Sequence, residues 1–144
     1  MSSNGPTDWD WCSPLLSGNN GSGKLLAEAL ARKGFVRLRF DKLGSGARVR
    51  QDIAKFQGKV SMKTQVDELA ETVDAILSEE DISDRRLFAL TNSEGAIHAV
   101  NYQFQATSNK FTGLVLTRAP DRAIGDVSRT QIYNQAKSHK TRNR

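Results

Sequence analysis

The stretch that decides the fold is Leu87-Phe88-Ala89-Leu90-Thr91-Asn92-Ser93-Glu94-Gly95-Ala96-Ile97-His98-Ala99-Val100-Asn101-Tyr102-Gln103-Phe104-Gln105. It opens on a short apolar run, 87–91, that suits a half-buried pleated surface. Asn92 to Gly95 follows with Asn, Ser and Gly, the residues of tight turns. From there Ala96, His98, Val100, Tyr102 and Phe104 fall on one set of alternate positions, and Ile97, Ala99, Asn101, Gln103 and Gln105 on the other. A period of two predicts a strand over 96–105. A second polar turn at 107–110 leads into a third apolar run, 111–117, which Pro120 ends. The segment therefore predicts an antiparallel three-stranded meander.

Upstream the period lengthens. Ser22 is placed to cap a helix carrying Leu25, Leu26, Ala29 and Leu30, with Gly34 beyond its end. Residues 35–40 alternate, with Val36, Leu38 and Phe40 on one face and Arg37 and Arg39 on the other, which predicts a half-buried strand. A glycine-bearing turn at 43–46 precedes a short helix with Val49, Ile53 and Phe56 on its apolar side. Thr64 reads as the next cap, with Asp67 and Glu68 in a first turn where the helix dipole favours acids. Val66, Leu69, Ala70, Val73, Ile76 and Leu77 then make an amphipathic stripe. The expected fold is α+β: N-terminal helices packed on a small antiparallel sheet that ends in the three-stranded meander. The expected division is an irregular segment over 1–21, whose Trp9 and Trp11 pack onto the body, an α+β domain over 22–120, and a basic tail over 121–144.

The chain has 144 residues and one cysteine, Cys12. That excludes an internal disulfide and a zinc site built on several thiolates, and it fits a reducing compartment. No run approaches the roughly 18 apolar residues of a membrane span. Residues 1–11 carry two aspartates and no positive side chain, unlike a secretory signal. The expected setting is cytoplasmic, or a host or target-cell cytosol reached without a classical signal peptide. The net charge of +5 is unevenly placed: residues 24–63 hold 11 bases and 3 acids, 64–84 hold 8 acids and no base, and 118–144 hold 7 bases and 2 acids. Such a pattern offers either an electrostatic footprint for a polyanion or charge complementarity within one fold.

Three constellations carry chemistry. Gly18 to Lys24 fits the G-x-x-x-x-G-K core of a phosphate loop, but Leu25 replaces the hydroxyl that would hold magnesium. What remains is an anion-binding loop at Gly21, Gly23 and Lys24, at the start of a helix. The second is a basic strand–helix face, Arg37, Arg39, Arg48, Arg50 and Lys55, which with the tail suits nucleic acid or an acidic protein partner. The third is Cys12 with His98, since a thiol nucleophile needs an imidazole to take its proton and a third group to orient that imidazole. No metal cage and no cofactor are expected, because two histidines and one cysteine are too dispersed.

The order of Cys12 near an N-terminal helix and His98 late in the chain, with the strand–turn–strand pattern of 86–100 around the histidine, resembles the papain-like cysteine peptidases. It is also similar to the related glutamine deamidases of bacterial effectors and toxins. The resemblance implies a cysteine-dependent amide hydrolase or deamidase acting on a protein substrate. Cys12 would be its nucleophile, His98 its base, and Asn109 or Asp121 the orienting group. The competing expectation is a non-enzymatic module that binds nucleic acid or an acidic protein through the basic face and tail.

Overall fold

The computed structural model describes residues 7–12, 18, 21–46, 49–56, 58–80, 82, 86–123, 125–126, 129–130, 132–134 and 137. Their elements are α1 (Ser22–Ala31), α2 (Val49–Phe56), α3 (Met62–Leu77), β1 (Phe88–Asn92), α4 (Glu94–Gln105) and β2 (Gly113–Thr117).

Helix α3 forms where the apolar stripe predicts it, but it starts earlier. Ser61 is the cap: its hydroxyl accepts the Thr64 N–H, and the Thr64 hydroxyl accepts the Ser61 N–H at 2.8 Å. Two orphan donors of the first turn are thereby satisfied at once. Val66, Leu69 and Val73 point inward and meet Ala99 and Tyr102 of α4 and Phe111 beyond it, forming the core. The Tyr102 and Phe111 rings lie 5.0 Å apart in a tilted pair, a favoured aromatic geometry. Gln103 closes this end of the core, accepting the Phe111 N–H at 2.8 Å and donating to the Phe111 carbonyl at 3.2 Å.

The expected meander is overturned. Residues 94–105 form helix α4, and the sheet is two parallel strands in the register Phe88↔Gly113 to Asn92↔Thr117. Parallel neighbours cannot be joined by a hairpin. They need a crossover of a dozen or more residues, usually helical, and α4 supplies it. Gly95, Ala96, His98, Ala99 and Tyr102 are the buried residues of α4, a helical spacing that coexists with the alternation read from the sequence. Phe104, placed on the apolar face of the expected strand, is 84% exposed. Residues 35–40 form no ladder either. Val36 and Leu38 are exposed, while Phe40 packs against the core. The mixture of helices and strands stands, and the antiparallel architecture does not.

The N-terminal segment is tied to the body by its backbone. The Trp9 N–H donates to Asp41 Oδ1 at 2.7 Å, the Gly23 N–H to the Asp10 carbonyl at 2.9 Å, and Arg39 pairs with Asp10. No described helix is long and apolar enough to cross a membrane.

Candidate functional site

The β1–α4 junction is one residue long. Asn92 ends the strand, Glu94 begins the helix, and Ser93 alone turns the chain, at φ 54° and ψ −124°. A non-glycine residue with positive φ is uncommon. This combination lies outside the small left-handed basin, where such residues otherwise collect. Backbone strain of this kind costs about 1–3 kcal/mol and persists only where the surroundings hold it.

The surroundings here are specific. The Thr91 hydroxyl donates across the sheet to the Val115 carbonyl at 3.1 Å, and the Thr117 hydroxyl returns a bond to the Thr91 carbonyl at 2.5 Å. The Ser93 N–H donates to the Thr117 carbonyl at 2.9 Å, extending the ladder into the turn. On the far side the Ala96 N–H donates to the Ser93 carbonyl at 3.0 Å, starting the helix. Thr91 is fully buried and Gly95 is buried, so small residues flank the turn where strand and helix come close.

The Ser93 side chain, by contrast, makes no capping bond to the helix it precedes. That is unusual use of a serine, whose hydroxyl ordinarily caps the N–H of the second or third helical residue. The turn leads directly into the first N–H groups of α4, at Glu94 and Gly95. These have no intrahelical acceptor and sit at the positive end of the helix dipole. Ser93 is also at the carboxyl end of the parallel strands, the end at which α/β sheets hold their sites.

A second loop closes on this junction. Residues 41–46 form a tight turn in which the Ser45 hydroxyl and N–H both donate to the Lys42 carbonyl, at 2.7 and 3.0 Å. Gly46, at φ 79°, has no room for a side chain, because a Cβ would collide with the Asp41 carboxylate. The turn is fixed to α3 by the Leu43 N–H, which donates to Glu68 Oε2 at 2.9 Å, and by Gln65 Nε2, which donates to the Leu43 carbonyl at 3.3 Å. It is fixed to α4 by Lys42, whose Nζ lies 3.2 Å from Glu94 Oε2. Burial pushes the Glu68 carboxyl above its ordinary range, against the pull of the Leu43 N–H and the Lys42 charge.

The residues singled out from the sequence are placed differently. Cys12 is half-buried, and its Sγ accepts the Gly21 N–H at 3.3 Å. His98 lies on α4, not on a strand, and is 2% exposed with no hydrogen-bond partner for Nδ1. Burial holds its imidazole below the ordinary histidine range; the nearby Glu94 charge opposes this and the Lys42 charge adds to it. Asn109 donates to Asp74 Oδ1 at 2.9 Å and accepts the Tyr102 hydroxyl on its carbonyl. Asp121 is exposed beside Arg122. In the expected anion loop the N–H groups of Gly21 and Gly23 are taken by Cys12 and Asp10, and Lys24 lies 4.0 Å from Glu28. Of the basic face, Arg37 and Lys55 are exposed and Arg39 is paired with Asp10. Arg48 and the Arg50 side chain lie outside the described residues. Among the described residues no group of three His, Cys, Asp or Glu is placed to hold a metal ion.

Ser93 is the functional candidate that sequence reasoning missed. Its signal was an apolar strand, then Asn92-Ser93-Glu94-Gly95, then a helix-compatible run. Asn, Ser and Gly serve a hairpin turn equally well, so the local pattern does not separate the two. Comparison of the chain with family models, with curated proteins and with solved structures finds no match.

Proposed function

We propose that the chain carries the nucleophile of a serine-type hydrolase that works by acyl transfer, and that Ser93 is that nucleophile. The observation that carries the reading is the strained, uncapped Ser93 between a parallel strand and a helix. A strand–serine–helix turn of this kind is the nucleophile elbow of the α/β-hydrolases. Its usual pattern is G-x-S-x-G; here Asn92-Ser93-Glu94-Gly95 matches the last four positions, and fully buried Thr91 stands at the first. The need at that first position is for a small residue in tight packing, which threonine meets by turning its hydroxyl to Val115.

The chemistry follows from the turn. Ser93 Oγ attacks an acyl carbonyl carbon, a C–O bond forms, and the electron pair moves to the carbonyl oxygen. That oxyanion meets the Glu94 N–H, the residue after the nucleophile, at the positive end of α4. Collapse expels the leaving group and leaves an acyl-serine, which water then cleaves to the acid and free Ser93. The Ser93 proton passes to base or solvent as the C–O bond forms; His98, 2% exposed on α4, is enclosed.

The thiol alternative, Cys12 with His98 acting on an amide, is separated by one assay. Hydrolysis of p-nitrophenyl acetate by the purified chain should be lost in Ser93→Ala and kept in Cys12→Ala. Hydrolysis kept in Ser93→Ala and lost in Cys12→Ala would transfer the reaction to the thiol.

A further inference from the structure

We propose that Lys42 is a positioning residue for the oxyanion site: it neutralises Glu94, so that the positive field of the α4 N-terminus stays available to substrate charge. The inference rests on Ser93 being the nucleophile. Glu94 is the first residue of α4 and would also provide the oxyanion's backbone donor. A free carboxylate there is attracted to the same N-terminal dipole that a developing oxyanion needs. It would also repel that oxyanion across a short distance in a partly dry site.

Lys42 removes the conflict. Its side chain is 9% exposed, that of Glu94 is 21% exposed, and their charged atoms are 3.2 Å apart. The ammonium does not arrive there on a free tether. The 41–46 turn delivers it, and the Leu43–Glu68 and Gln65–Leu43 bonds hold that turn on α3. Two helices and a loop thus converge on one buried cation, set beside the residue that follows the nucleophile. A surface ion pair would be worth little. This one is largely enclosed, so loss of either partner leaves the other charged and poorly solvated.

The test uses the full chain and a fluorophosphonate probe. Ser93 Oγ bonds to phosphorus, fluoride leaves with the P–F electron pair, the hydroxyl proton passes to base or solvent, and charge builds on the phosphoryl oxygen. The measured quantity is the second-order labelling rate of folded protein, with folding followed by circular dichroism. Lys42→Met should be slower by about tenfold or more, since it leaves Glu94 charged beside the oxyanion. Glu94→Gln keeps the backbone donor and should be faster than the natural protein, because it leaves the Lys42 ammonium unopposed beside the developing anion. Lys42→Met combined with Glu94→Gln should recover to within about threefold, because both charges are gone.

A merely structural ion pair predicts Glu94→Gln slowed like Lys42→Met, since either single loss strands a poorly solvated charge. That pattern, or a Lys42→Met rate equal to the natural one, overturns the inference and leaves Ser93 standing. If the natural protein is not labelled at Ser93, the nucleophile itself is lost and this inference with it. Should Lys42→Met fail to fold, the direction of the Glu94→Gln change still decides.

Discussion

At the scale of single residues, Ser93 is one of four described non-glycine residues with positive φ, with Trp11, Asn109 and Arg118. Glycine adopts the Ser93 backbone angles at little cost, and the Ser93 hydroxyl makes no capping bond that its loss would forfeit. Ser93→Gly should therefore raise the unfolding free energy by about 1 kcal/mol while removing hydrolysis. A chemical-denaturation curve measures the first part; a destabilised Ser93→Gly protein would show that the turn is not strained. His98 gives a second residue-scale expectation. Its folded pKa lies below the ordinary value of 6.5 because burial penalises the charged form. As pH falls below that value, the unfolded chain takes up a proton that the folded chain refuses. Stability that is full above the unfolded pKa is thus lost as pH falls toward the folded pKa. Natural protein should lose more stability between pH 7 and pH 5 than His98→Gln does. Equal losses would contradict the assignment, and the raised Glu68, which works in the other direction, cancels in the comparison.

At the scale of elements, a single misread period changed the topology. The α3 stripe was plain in the sequence because Val66, Leu69 and Val73 fit only the helical spacing. Both strands were visible as short apolar runs, close to their observed bounds. Residues 96–105 fit either period, and local pattern alone does not choose between them. The choice is made by tertiary structure: parallel β1 and β2 require a crossover, and α3 offers a face for it. Once 96–105 became a strand, the turn before it became a hairpin turn, and Ser93 disappeared from view. The same error placed His98 on a sheet, where an imidazole can face a cleft; on α4 it is enclosed. The small sheet also makes an element-scale prediction. Among the described residues β1 and β2 pair only with each other, and Phe88, Val115 and Leu116 are exposed on them. Open edges beside exposed apolar residues invite further strand pairing, which an edge lysine discourages. Val115→Lys should lower concentration-dependent association, read by light scattering. Unchanged association would show that the edges are not the sticky surface.

At the scale of the whole molecule, the basic segment adjoins the Ser93 junction: Arg118 follows Thr117, whose carbonyl accepts the Ser93 N–H. Residues 24–63 and 118–144 both carry an excess of base, and the junction itself is built from threonines, a glycine and a carboxylate paired with Lys42. Composition registers these basic segments, whereas a single serine in a turn leaves no mark on it. The thiol reading joins Cys12 at the α1 entry with His98 in α4 on their order in the chain and on a strand–turn–strand pattern over 86–100, of which 94–100 is helix. The turn at Ser93 needs no such union, since strand, nucleophile and helix are consecutive. The central claim reduces to one covalent bond. The full chain would be treated with a fluorophosphonate and digested, and the modified peptide sequenced by tandem mass spectrometry. The account predicts a single phosphonyl adduct on Ser93, absent after heat denaturation. An adduct spread over Ser22, Ser45 and Ser78, or a folded protein with none, would contradict it.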